Sequence, residues 1–428
     1  MQRTEQVPKS FLHMVSLATC GASKNGILFC DKFDWAEVIR YACEQAVLPL
    51  VACALLVQPD IDCPETLREQ LLEMLRGQSG SNYVRKNRIL NMIHEMEDVG
   101  FDVKLLKGYV IGQCYAFPNS RSSTDADLLI AETQETQVHS FLRNKGFRVD
   151  PRGETEHHAV CQHPKLGIVE AHVHLYVEIV QSVWFKDAQH DKLLQEDTIR
   201  VDNGEECYST LGYTDHLIFI TLHMIKHFVY DGLGLRMMLD IALFFRFHRD
   251  RLDTKRYWAL LDELHYSKVV RAILWALIDT GCFSQEDFPG LQSVETDTIN
   301  LLLLDLEIGG HMGVNQGKEN RVDSYYEYSR QVILREKNPM QYRLYMLRYK
   351  IRSAKKHMFP DKEQLIRLYP VLKEKKWLTP FVRVHRMVSY PIQKIREGAL
   401  RDQIRSDSTE MPEEAKRRVE MFKALDMI

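Results

Sequence analysis

Apolar positions recur at helical spacing through the first hundred residues. Asp34-Trp35-Ala36-Glu37 is a capping-box pattern, and Trp35, Val38, Ile39, Ala42 and Ala46 follow at three- and four-residue intervals. A second helix is predicted from about Asp62 to Gly77, with Pro64 in its first turn, and a third from Tyr83 to Val99, stopped by Gly100. Residues 1–30 show too little periodicity to assign. From Phe101 the period changes. Phe101–Leu106, Asp125–Ala131 and Phe147–Asp150 read as strands, and Tyr109–Ala116 and Glu132–Asn144 as helices. His157–His163 and Ile168–Val177 read as a hairpin turned at Pro164-Lys165-Leu166-Gly167. From Thr214 the helical pattern returns, with Leu217, Ile218, Leu222, Ile225 and Phe228 on one stripe, then Leu235–Phe247, further helices at 254–265, 268–280, 296–305 and 324–358, and a short one at the end. The pattern predicts an α+β fold: a small mixed β-sheet core at 101–200, between an N-terminal helical region at 1–100 and a C-terminal helical region at 201–428.

One stretch of that core spells out chemistry. An apolar strand runs into Lys107-Gly108, where glycine permits a sharp turn and close approach of a ligand, and the following helix start offers N–H donors to an anion. Beyond a polar loop with Arg121, Asp125 and Asp127 stand two apart on a strand, so both point to one face, while Ala126 and Leu128 point to the other. Paired carboxylates repel unless protonated, cation-paired or bridged by metal, and such hard oxygen ligands suit Mg²⁺ or Mn²⁺. The plainer alternative is a solvent-facing pair on an edge strand. In the hairpin arm, Ile168, Glu170, His172 and His174 share a face. Laid beside the Asp125 strand, that arm supplies Glu170 as a third carboxylate.

Composition changes the picture little. Apolar and charged fractions are those of a globular protein. The longest apolar run, Ala46–Val57, is too short to span a bilayer, and the N-terminus has no secretory pattern, so a cytoplasmic protein without membrane association is expected. Nine cysteines, odd in number and without a CxxC pair, fit reduced packed thiols rather than a disulfide framework. Net charge is −3, but its distribution is uneven: residues 330–405 hold 20 Lys/Arg against 6 Asp/Glu.

Three other constellations remain open at this point. His172 and His174 could be zinc ligands of a hydrolase, or polar residues bonded across the sheet. His223-Met224-Ile225-Lys226-His227 lacks the glutamate of a zincin helix, and its histidines, with His172, could line an acceptor pocket or simply pack. In the basic stretch, Arg343, Arg348, Lys350 and Arg352 alternate with Tyr342, Tyr345 and Tyr349. These could hold RNA or another nucleic acid in a non-catalytic binding module, form a solvated helix face with the tyrosines in the core, or close over a triphosphate.

Taken together, Leu106-Lys107-Gly108, Tyr115, Pro118, Arg121, Asp125-Ala-Asp127-Leu-Leu, Val169-Glu170-Ala-His172 and His223-x-x-x-His227 with Asp240 resemble the bacterial family of uncharacterised nucleotidyltransferases, in the DNA polymerase β-like superfamily. The likeness runs from about Asp34 to Phe247. It implies transfer of a nucleoside monophosphate from an NTP such as ATP to an unidentified acceptor. It also implies phosphate binding by Lys107, Gly108 and Arg121, and metal-assisted catalysis by Asp125, Asp127 and Glu170. The chain departs from the superfamily at Tyr109, where Gly or Ser is usual.

Overall fold

The structure is a computed structural model. It describes residues 9–20, 33–123, 125–150, 158–175, 198–202, 204, 206–230, 232–309 and 413–427, and between 339 and 386 it describes 339–340, 342–344, 347, 365, 369, 372, 376–383 and 385–386. The chain divides into two compact units, one of Met1–Tyr326 with Glu420–Ile428 and one of Glu327–Val419. Most of the basic 330–405 stretch, and most of the helix expected across 324–358, lie outside the described residues.

The first unit opens with helix α1 (Lys9–Cys20), which falls in the segment left unassigned by periodicity. Helix α2 (Trp35–Glu44) begins where the capping pattern puts it, the Asp34 carboxylate accepting the Glu37 N–H at 3.1 Å. The apolar run forms α3 (Leu48–Val57), buried from Pro49 to Leu55. Among the described residues, no helix is long and apolar enough to cross a membrane.

The two helices expected over 62–99 are one, α4 (Glu65–Asp98), running through Gly77 and Gly80. Its apolar stripe, Leu71 and Leu75 before the glycines and Ile89, Ile93 and Met96 after them, is interrupted. In the gap Gln78, Asn82 and Arg85 recur at helical spacing and bond a loop of the core: Gln78 Nε2 donates to Ser122 Oγ (3.2 Å), Asn82 Nδ2 to the Asn119 carbonyl (2.9 Å), and Arg85 Nη1 to the Ser123 carbonyl (3.1 Å). Tertiary bonds therefore offset the poor helix propensity of the two glycines. A Cβ at either position would meet nothing within 4 Å. Gly77→Ala and Gly80→Ala are each expected to raise stability by about 0.5–1 kcal/mol, read as a higher urea midpoint at unchanged m-value.

The core sheet has five strands in the order β1-β2-β5-β4-β3: β1 (Val103–Leu106), β2 (Asp125–Ile130), β3 (Arg148–Asp150), β4 (His158–His163) and β5 (Gly167–His172). β2 pairs antiparallel with β1 and parallel with β5, and the expected hairpin β4–β5 is antiparallel, its turn closing at Gly167 with φ +74°. The sheet is thus mixed, as expected. β5 ends at His172, five residues short of the expected Val177. Between β1 and β2 the helix after Gly108 is only one turn long, α5 (Gly108–Gly112), where Tyr109–Ala116 was expected. Gly112 is a weak helix former, and the chain then turns through a 3₁₀ segment, Pro118–Ser120. Helix α6 (Glu135–Asn144) connects β2 to β3.

A second hairpin, β6 (Ile199–Asp202) with β7 (Cys207–Thr210), precedes the long helices α7 (Tyr213–Tyr230) and α8 (Leu235–His248). Behind them come α9 (Thr254–Glu263), α10 (Ser267–Asp279) and α11 (Thr296–Gly309). The terminal helix α12 (Glu413–Ala424) brings Phe422 edge-on to Phe228 of α7, ring centroids 5.4 Å apart. α8 is buried over most of its length, yet carries Arg236 and Asp240 one turn apart among its leucines and phenylalanines. The cleft between the sheet and these helices contains the acidic residues of β2 and β5.

Candidate active site

Register brings the three acids together. The parallel ladder sets Asp127 opposite Glu170, and the antiparallel one sets it opposite Leu106, the last residue of β1. Carboxylate oxygens of Asp125, Asp127 and Glu170 lie within 4.8 Å of one another. They line one cleft of about 400 Å³, together with Lys107, Gly108, Arg121, His172, His223 and His227.

Lys107 is the strained point. With φ +42° and ψ −117° it occupies a conformation that side-chain-bearing residues rarely adopt, at a cost of order 1–3 kcal/mol. Three bonds hold it. Its carbonyl accepts the Ile111 N–H (2.9 Å), its N–H donates to His216 Nε2 (3.3 Å), and its Nζ donates to Asp127 Oδ1 (2.7 Å). The His216 tautomer follows from its neighbours. Thr210 Oγ1 donates to the Leu105 carbonyl at 2.6 Å, so at 3.2 Å from His216 Nδ1 it accepts, leaving Nε2 as an acceptor for Lys107. Burial, reinforced by His248, holds the His216 imidazole down at about 3, so it is neutral in this role.

Glycine serves space rather than the turn. Gly108 is outside the left-handed region; a Cβ there would sit 2.8 Å from Ser123 Oγ, whose hydroxyl donates to the Asp125 carbonyl at 2.9 Å. Tyr109 points away from the cleft into a small space shared with Asn82, Lys86 and Gln113. Its buried hydroxyl has no hydrogen-bond partner among the described residues, and burial raises its pKa.

The acids differ electrostatically. Burial would lift the Asp127 carboxyl, but the Lys107 ammonium and a 3.0 Å bond from His172 Nε2 carry it well below the carboxylate range. Glu170 is likewise lowered, burial being outweighed by His172, whose Nε2 is 3.4 Å from Oε2. Asp125 goes the other way, raised by burial and by the two neighbouring carboxylates. Three carboxylates thus converge, with the Lys107 ammonium bonded to one of them. This hard-oxygen set fits a divalent cation.

A second donor set shares Glu170 and adds His158 and His172, again within 4.8 Å. His174, expected beside His172, lies instead 3.6 Å from Glu132, because the strand has ended. His223 and His227 stand edge-on at 4.7 Å between ring centroids, and burial, with Lys107 and His227 beside it, drives the His223 pKa well down.

Arg121, expected to reach phosphate, is engaged inside the fold. Its Nε and Nη2 donate to the two Asp240 oxygens, both at 2.7 Å, and the Tyr115 hydroxyl donates to Asp240 Oδ1 at 2.7 Å. Residues that periodicity and motif did not single out are His216, Arg236 and the Gln78, Asn82, Arg85 stripe. A charged Arg236-x-x-x-Asp240 pair within an apolar helix was the available signal for one of them; His216 had none.

No curated protein and no solved structure matches the chain. A family model described as "Uncharacterised nucleotidyltransferase" matches residues 31–278, from just before α2 to the end of α10, and so covers every element of the site. The chain belongs to that nucleotidyltransferase family.

Proposed function

We propose that the cleft transfers a nucleoside monophosphate from an NTP to a hydroxyl or phosphate of an acceptor, with release of pyrophosphate. Family membership supports transfer of a nucleotidyl group. The observation that carries the rest is the convergence of Asp125, Asp127 and Glu170 at one point through the β2–β5 register. These three would hold Mg²⁺ or Mn²⁺, which when bound neutralises phosphoryl and leaving-group oxygens of an in-line displacement. The chain's own part is positioning. Lys107 is locked on Asp127 by His216, and the Ser122–Ser123 loop is anchored to α4 through Gln78 and Arg85. His172, His223 and His227 are the residues proposed for the acceptor's side of the cleft.

The test is transfer of α-labelled NTP, with γ-labelled NTP as control, to a cell extract in Mg²⁺ or Mn²⁺. Wild type should pass on the α-label alone, and the Asp125→Asn/Asp127→Asn double variant should not; equal labelling by both proteins sinks the reading. A zinc hydrolase is the second reading, favoured by the His158, Glu170, His172 set. It requires stoichiometric zinc in the isolated protein, lost with His158→Ala.

A further inference from the structure

Arg236 lines the cleft that holds the three acids. Its Nη1 donates to the Ser122 carbonyl at 3.2 Å, while its buried Nε has no hydrogen-bond partner among the described residues. The carboxylate one helical turn on, Asp240, is already taken: Arg121 binds both of its oxygens and Tyr115 shares one of them. Two guanidinium groups therefore share the Asp240 carboxylate, with Asp125 the other carboxylate that acts on both. Burial and the repulsion of Arg121 hold the Arg236 pKa below its ordinary value, which agrees with a cation short of an anion. The other cation expected to reach phosphate, Lys107, is committed to Asp127.

A buried charge with an unfilled donor is costly, and a guanidinium fork that lines the cleft suits a phosphate. Resting on the transfer reading above, we propose that Arg236, rather than Arg121, binds the polyphosphate of the incoming nucleotide. Two placements favour the polyphosphate over an acceptor group. Arg236 is tied to the loop that packs on Gly108, and Asp125 is among the charges that act on it. Every NTP brings several negative charges to that neighbourhood, whatever the acceptor.

The experiment measures binding of each of the four NTPs, of inorganic tripolyphosphate and of the corresponding nucleosides, by calorimetry in Ca²⁺, for wild type, Arg236→Gln and Arg236→Lys. Wild type should bind an NTP and tripolyphosphate. Arg236→Gln should weaken both by about tenfold or more, the loss of one charge-assisted contact, and Arg236→Lys should recover part of it. Nucleoside binding should not change. Melting of the unliganded protein supplies the control: Arg236→Gln should melt at or above wild type, since it removes an unbalanced charge, whereas a structural role lowers the midpoint. If wild type binds no NTP, the transfer reading falls and this proposal with it. If wild type binds and Arg236→Gln binds within twofold of it, this proposal alone falls. It also falls alone if the variant loses only transfer rate, which would put Arg236 on the acceptor.

Discussion

Asp127→Ala is expected to lose activity and stability together, whereas Asp125→Ala loses activity alone. Asp127 is 2 % exposed, and its Oδ1 accepts from both Lys107 Nζ and His172 Nε2. Removing it takes the bonded partner from the Lys107 ammonium, on a residue whose backbone is already strained, and leaves that ammonium with Asp125 and Glu170. Breaking one side of a buried pair costs about 3–5 kcal/mol, and the two remaining carboxylates keep the loss here at or below the lower end of that range. The sign with pH is definite. A carboxyl held below its unfolded value, near 3.9, stabilises the fold at neutral pH, and that contribution is lost only as acidification passes below the unfolded value toward the folded one. The stability gap between wild type and Asp127→Ala should therefore be full at neutral pH and narrow in strong acid. Asp125 is half-buried and raised by its acidic neighbours, so its removal relieves repulsion and should leave the melting point level or higher. On the proposed transfer reaction, activity should fall by roughly 10³-fold or more in either variant, since each would remove a charge placed to act at the reacting phosphoryl group. Thermal melts at pH 7 and the labelled-transfer assay separate the two. Equal melting of Asp127→Ala and wild type would show that Lys107 does not depend on this carboxylate.

The sheet and its acids were legible because both are local. A strand's two-residue period sets Asp125 and Asp127 on one face, and a three-residue turn, 164–166, puts β4 against β5. Only the pairing of β5 with β2, on which Glu170's place depends, needed the fold. Other parts of the site rest on contacts that no short window contains. Asp240 meets Arg121 across 119 residues, and His216 meets Lys107 across 109. The glycines of α4 misread as a break for a related reason: the stripe that carries the helix through them is polar, and its partners are loop carbonyls. Lys107-Gly108 was recognised as a turn, but the positive φ belongs to the lysine. Periodicity sees neither strain nor the distant imidazole that holds it.

The Arg121–Asp240 pair is where structure and phosphate binding make opposite forecasts. Were Arg121 a substrate ligand, its loss would weaken nucleotide binding and spare the fold. Both residues are under 10 % exposed and joined by two 2.7 Å bonds, so its loss should act on folding instead. The two single variants should also differ. Arg121→Ala leaves Asp240 with the Tyr115 hydroxyl and with Arg236 one turn away on the same helix, and should cost about 2–3 kcal/mol. Asp240→Ala leaves Arg121 and Arg236 together with no bonded carboxylate and only Asp125 acting on both, and should cost about 4–5 kcal/mol, toward the upper end for a stranded buried charge. Urea unfolding of both variants and of Arg121→Met/Asp240→Leu completes the comparison, because an apolar pair of similar volume should restore much of the stability that either single change removes. Asp240→Ala as stable as Arg121→Ala would mean that Arg236 already has another counter-ion. The ordering of these two variants thus tests, from the folding side, the charge imbalance that makes Arg236 available to a nucleotide.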